Sequence, residues 1–303
     1  MPNITYEGVT YDRATCTLGT CPLALANVRY VPSLGGNATY LVLFIILFAA
    51  QCFLGIKHRT WGFMGGMLGG LMLEIIGYGA RIGMHYNPFN TDCFFAYLIT
   101  LTIGPAFLTA SIYLCLARIV VVYGTNLSHF QPRFYTITFV ACDVISLVLQ
   151  AAGGAIAAGS TKNATMGENI MLGGLSFQVF SLILFCLLCA EFGWRVYSAA
   201  AWKHNPAFAA VTNSRRFKLF LLALAVATIL IIVRSVFRVA ELEDGFTSSI
   251  ANNEGLFMAL EGPMIIIAVG ALTVSHPGYA FNGEWNELTW SFRAVNTGSC
   301  RGL

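Results

Sequence analysis

Seven apolar runs divide the chain, at about Asn37–Gly55, Gly62–Met84, Phe94–Val122, Phe134–Ala158, Ile170–Tyr197, Phe217–Ala240 and Asn253–Ser275. Each is close to the ~20 residues that cross ~30 Å of hydrocarbon as a helix. The connections between them are short. The pattern therefore predicts an all-α membrane protein with a single seven-helix transmembrane domain (37–275). A polar N-terminal segment (1–36) precedes it and a short tail (276–303) follows. Polar residues interrupt the runs at few places, and those places carry the information. In the sixth span Arg234, Arg238 and Glu241 stand at i, i+4 and i+7, on one face of a helix. A charge near the bilayer centre costs about 3 kcal/mol on insertion scales. That face is expected to turn inward and find partners.

Partners occur at matching depths. The second span carries Gly62, Gly66 and Gly70 on one stripe, a small-xxx-small pattern that lets another helix approach closely. The same stripe continues through Glu74, Gly77 and Arg81. Span four has Asp143 in its cytoplasmic half, then Gln150 and Gly154 higher on the same stripe; span five has Gln178. Span seven has Glu261, followed by Gly262-Pro263, where a proline frees a backbone carbonyl and favours a kink. Gly104-Pro105 in span three suggests a second kink. Together, Glu74, Arg81, Asp143, Gln150, Gln178, Arg234, Arg238, Glu241 and Glu261 form the candidate substrate-binding set. Asp143 is the deep exception. The simplest arrangement is a polar cavity opening outward, walled by spans two, four, five, six and seven, with Arg234 and Arg238 paired to Glu74, Glu261 or Glu241. The plain alternative is a set of ion pairs that only fix helix register.

Composition agrees with a membrane setting: 57% of residues are hydrophobic and 10% charged, against about 25% charged in soluble domains, with a mean hydropathy of +0.70. Eleven of the seventeen Lys and Arg fall in one set of loops and tail, three in the other. This bias puts the N-terminus outside and the C-terminus in the cytoplasm. All five Trp lie on the basic side, suited to interfacial anchoring. Sequons at Asn3 and Asn163 are the glycosylation candidates; that at Asn37 lies close to the membrane. Cys16, Cys21 and Cys93 are the outer cysteines, and one disulfide among them suits an oxidising exterior; the spacing leaves the pair open. The N-terminus lacks a basic start followed by an apolar core, so the first span is expected to act as the targeting signal.

Several chemistries find no support. No Gly-x-x-x-x-Gly-Lys-Ser/Thr loop occurs, so no ATPase of the P-loop type is expected, and uphill export would need an ion gradient or another protein. All five His fall in loops and no pair has ligand spacing, which argues against an intramembrane zinc hydrolase. Span seven holds no Lys for a retinal Schiff base. The expectation is a non-enzyme without cofactors.

The motifs, taken in order, resemble the fungal RTA-like family, also called lipid-translocating exporters. They are Tyr30-x-Pro32-Ser33 with Asn37; Glu74-x-x-Gly77-Tyr78-x-x-Arg81; Pro105 through Ala110 and Tyr113 to Arg118; Asp143-x-x-Ser146-x-x-x-Gln150-x-x-Gly153-Gly154; Gly174-x-x-x-Gln178; Arg234-x-x-x-Arg238-x-x-Glu241; and His276-Pro277-Gly278. Two features depart from it: Glu261 where an Asp is usual, and a tail of about 26 residues after Pro277. The resemblance implies seven helices, a plasma-membrane location, export of sphingoid long-chain bases and resistance to toxic lipids. Membrane lipids are then the expected partners, and nucleic acid is not one. A lipid-responsive sensor with the same layout is the alternative, in which Lys203, Arg215, Arg216 and Lys218 would meet a cytoplasmic signalling or trafficking partner. Oligomeric state is left open.

Overall fold

The computed structural model describes residues 4–6, 9–11, 16–26, 28–124, 128, 131–159, 164–198, 208–243, 252–281 and 285. Among these, seven helical spans are long and apolar enough to cross a bilayer. Five are single helices: α1 (Leu34–Lys57), α2 (Trp61–Tyr86), α3 (Thr91–Tyr123), α4 (Pro132–Gly159) and α5 (Ala164–Ser198). A four-residue α6 (Ala209–Thr212) precedes the sixth span, α7 (Arg215–Glu243). The seventh comprises α8 (Glu254–Leu260) and α9 (Gly262–Val274), leading into a short α10 (Pro277–Ala280). Ahead of the bundle, β1 (Ile4–Tyr6) and β2 (Val9–Tyr11) pair antiparallel, a small addition to the all-α pattern. The sequons at Asn3 and Asn163, and Lys203 of the basic loop, lie outside the described residues.

Helix starts follow capping chemistry. Ser33 Oγ accepts from the Gly36 N–H at the head of α1, Asn90 Oδ1 from Asp92 and Cys93 at α3, and Asn253 Oδ1 from Leu256 at α8. Packing runs α1 to α2 to α3 to α4 to α5 to α7 to α9 and back to α1, and α3 also reaches α7 across the middle. The third span is thus the bundle's centre, and it has the largest buried share of any span. Its hydroxyls make this tolerable. Thr102 and Ser111 donate to carbonyls four residues earlier in their own helix, so they enter an apolar interior already satisfied. At the opposite extreme, α1 buries little beyond Asn37, Phe44, Gln51 and Gly55. The first three recur every seven residues, a narrow seam, and Gln51 Nε2 donates to Thr273 Oγ1 of α9 at 2.9 Å.

The glycine stripe of α2 meets α3. A Cβ on Gly66 would collide with Ser111 and the Phe107 carbonyl, and one on Gly70 or Gly77 with Leu108 or Leu101. A second seam closes α4 on α5, where a Cβ on Gly153 would lie 2.5 Å from the Met171 nitrogen.

One expected kink is present and several other expectations are corrected. The seventh span does break at Glu261, with Pro263 in the first turn of α9. Pro105, by contrast, sits inside an uninterrupted α3. Trp61 and Trp194 are exposed, as anchors would be, but Trp285 is buried at 1% exposure. It packs on Phe63 and Phe281, with the Arg118 guanidinium 3.6 Å from its ring. Trp202 and Trp290 fall outside the described residues. His276 is not a solvated loop residue: it is buried, and its Nδ1 accepts from the Gly278 N–H. The disulfide joins Cys16 to Cys21, leaving Cys93 free.

Candidate functional site

Arg234 is the hub. Its Nη2 donates to Glu261 Oε1 at 2.7 Å and to the Leu101 carbonyl, and lies 3.9 Å from Glu74 Oε1. The Leu101 bond has a cause in the sequence. Pro105 has no N–H, so the carbonyl four residues earlier, that of Leu101, lacks its helical donor. In lipid such a carbonyl must be satisfied from elsewhere, and a guanidinium from α7 reaches it.

One turn on, Arg238 pairs with Glu241 at 2.5 Å through Nη1, donates to Thr102 Oγ1 at 3.1 Å through Nη2, and has Glu261 Oε1 3.6 Å from its Nε. Glu261 therefore sits between both guanidiniums. The break between α8 and α9 brings it there and places it at the head of α9, where the helix dipole favours an anion. The Met258 carbonyl, just before the break, accepts from Tyr40 of α1 at 2.7 Å.

Glu74 is the odd member. It is 1% exposed, and neither oxygen has a hydrogen-bond partner. Gly104 of α3 leaves the room for it: a Cβ there would lie 3.1 Å from Oε1. The Tyr78 hydroxyl, one turn along α2, is also buried without a partner. Two guanidiniums thus face three carboxylates, and the third, Glu74, has only a distant share of Arg234.

Arg81 lies two turns further along α2, in a separate setting. Nε donates to Asn37 Oδ1 and Nη2 to the Tyr30 hydroxyl, both at 3.0 Å, while the guanidinium carbon lies 3.8 Å from the Phe257 ring centre and 5.2 Å from that of Tyr97. The segment before α1 thereby becomes a cover. Tyr30 holds Arg81, the Pro32 carbonyl bonds His85, and the Ser33 N–H donates to the Glu254 carboxylate. The sequon residue Asn37 is fully buried beneath it.

The remaining candidates lie on the other side of α3. Gln150 and Gln178 bond each other at 2.9 Å, bridging α4 and α5. Asp143 Oδ2 accepts from Thr109 at 2.9 Å. A void of 10 Å³ separates Gln150 from Thr102, at the lower limit for one water. The nine residues therefore fall into four settings around α3 rather than one pocket, and α3, absent from the expected wall, supplies both Leu101 and Thr102. The expected outward-opening cavity is closed in this conformation: the charged members are all at most 5% exposed.

A cavity does open lower down. It measures 630 Å³ and lies between α3, α5 and α7, lined by Ile112, Leu116, Phe185, Leu221, Leu224 and Thr228 among others. That is within the roughly 300–1,000 Å³ of small-molecule sites, and its walls are almost wholly apolar. The polarity pattern gave no sign of it, because its lining looks like any lipid-facing helix. Sequence reasoning also left Tyr78, quoted only within the family motif, Thr102 and the Leu101 carbonyl out of the candidate set. The first sits at i+4 from Glu74, and the last is marked by Pro105.

Comparison with known proteins fits this architecture. The family model described as RTA1 like protein matches residues 67–284. The sphingoid long-chain base transporter RSB1 of Saccharomyces cerevisiae is 31% identical over 287 residues, covering 85% of this chain and 75% of its own. Protein RTM1 of the same yeast is 29% identical over 214 residues (70% of this chain, 67% of its own), and its protoporphyrin uptake protein 1 is 29% identical over 217 (70% and 68%). No solved structure matches. With seven apolar spans and a family match across most of its length, the chain is a multi-pass membrane protein that belongs to the RTA1-like family.

Proposed function

We propose that this protein carries single-chain cationic lipids, of the sphingoid long-chain base class, between the leaflets of the plasma membrane. The observation that carries the reading is the surplus carboxylate: three acids face two guanidiniums in a buried cluster, and neither oxygen of Glu74 has a hydrogen-bond partner. An ammonium head group would supply the missing cation and up to three donors. The similarity to a protein named as a sphingoid long-chain base transporter supports the same class, and favours a carrier over a sensor.

The tail would lie in the cavity between α3, α5 and α7. Thr228 at its upper end is six residues from Arg234, about 9 Å along α7. With the head in the cluster, the tail then points toward the cytoplasmic half, as in an outer-leaflet lipid. Lipid tails are as apolar as leucine, so the cavity contributes shape more than affinity; selectivity falls to the head-group cluster. Removing such bases from the inner leaflet would raise tolerance to toxic lipids.

The test is a leaflet-movement assay on purified protein in liposomes with a fluorescent long-chain base. Native protein is expected to move it, with Glu74→Gln and Glu261→Gln at least tenfold slower. Folded native protein that moves no base, with or without an imposed ion gradient, would overturn the reading.

A further inference from the structure

We infer that Glu74 is a proton-binding site, and that its proton is exchanged for the ammonium of the transported lipid; only this second half rests on the transport reading above. The surroundings of Glu74 leave few alternatives. From α7, Arg234 Nη2 is 3.9 Å away, but it is already committed to Glu261 Oε1 at 2.7 Å and to the Leu101 carbonyl. Arg238, also on α7, is committed to Glu241 at 2.5 Å and Thr102 at 3.1 Å. From the α8–α9 break comes Glu261, a second acid. From α3 the Gly104 backbone packs close to it, and on α2 itself the Tyr78 hydroxyl is also without a hydrogen-bond partner. Arg81, two turns along α2, is committed to Asn37 and Tyr30.

An ionised carboxylate held in this position would be buried, without a hydrogen bond and with only a 3.9 Å share of one guanidinium, a combination that costs several kcal/mol. A metal ion is a poor remedy, because it needs several ligands and no group of three His, Cys, Asp or Glu among the described residues could hold one. A proton removes the charge without needing further ligands. In the closed conformation Glu74 is therefore the neutral acid. When the ammonium of a lipid enters, Glu74 gives its proton to the aqueous side and pairs as the carboxylate; no other bond changes. The cluster gains one positive charge and loses one, so its net charge is the same in both states. That equality allows one cavity to accept either occupant and makes the exchange obligatory. It also names the energy source that a chain without a P-loop needs: a proton gradient.

Two measurements test the two halves separately. The first uses protein in lipid nanodiscs with no long-chain base, and infrared spectroscopy of the protonated carboxyl stretch over a pH series. A band is expected that is lost as pH rises and is absent in Glu74→Gln. Should Glu74→Gln be poorly folded, Glu74→Asp and Gly104→Ala, which crowds Oε1, are expected to move the band instead. Identical spectra for native and variant proteins at every pH would overturn the proton site. The second uses proteoliposomes with an entrapped pH dye and an N-trimethylated long-chain base, which cannot itself carry a proton. One proton is expected to move against each base, with accumulation of about tenfold per pH unit of gradient. Base movement without counter-moving protons would overturn the exchange and leave the carrier standing. An immobile base together with a titrating Glu74 would uphold the proton site and overturn the carrier.

Discussion

Replacing Arg234 by Met removes the hub while keeping most of its volume. Three things are lost: the 2.7 Å pair with Glu261, the donor to the Leu101 carbonyl, and the weaker field on Glu74. Removing one partner of a buried pair costs about 3–5 kcal/mol, chiefly because the other charge is stranded. The orphaned Leu101 carbonyl adds a penalty of about 1–3 kcal/mol. A loss of roughly 4–8 kcal/mol is expected by equilibrium unfolding in mixed detergent micelles. Two second-site changes check the cause. Glu261→Gln removes the stranded charge, so Arg234→Met with Glu261→Gln should be more stable than the sum of the single losses by about 1–3 kcal/mol. Pro105→Ala restores the N–H that the Leu101 carbonyl lacks. It should therefore help more in the Arg234→Met background than in the native one, where Arg234 already serves that oxygen. A loss below about 1 kcal/mol, or singles that add to within about 0.5 kcal/mol, would refute the account of Arg234 as hub.

Further tests probe the packing and the cavity. Gly153→Ala places a Cβ 2.5 Å from the Met171 nitrogen and 2.6 Å from the Gly167 carbonyl, which should destabilise the α4–α5 seam by about 1–3 kcal/mol. The adjacent Gly154→Ala meets nothing within 4 Å and should gain up to about 1 kcal/mol of helix propensity; equal effects in thermal unfolding would contradict the seam. Trp285→Ala strips the ring beneath Arg118 and beside Phe63 and Phe281, and is expected to cost about 3–5 kcal/mol, measured as lost folded fraction on heating. Ala190→Trp fills part of the 630 Å³ cavity and should slow movement of an eighteen-carbon base more than that of a ten-carbon one; equal slowing in the liposome assay would argue that the tail lies elsewhere.

The spans themselves were legible, because crossing a bilayer demands a local property: about twenty apolar residues in a row. The inward face of α7 was legible for the same kind of reason, since charges at i, i+4 and i+7 have only one low-cost direction to point. Even the site for the Arg234 hydrogen bond was written in the chain, as a proline that leaves one carbonyl free.

What the tertiary structure decided is which groups meet. Sequence offered Arg234 three acids; the fold gives it Glu261 at 2.7 Å and leaves Glu74 at 3.9 Å. It also sends Gln150, Gln178 and Asp143 to the far side of α3, and buries a cluster that depth alone suggested was open. The reason is that hydropathy sums along one helix at a time, whereas pairing depends on how each helix is rotated and offset against its neighbours. In lipid no hydrophobic force sets those offsets. They are set by close contacts such as Gly70 on α3 and Gly153 on α5, and such contacts exist only once the helices are assembled.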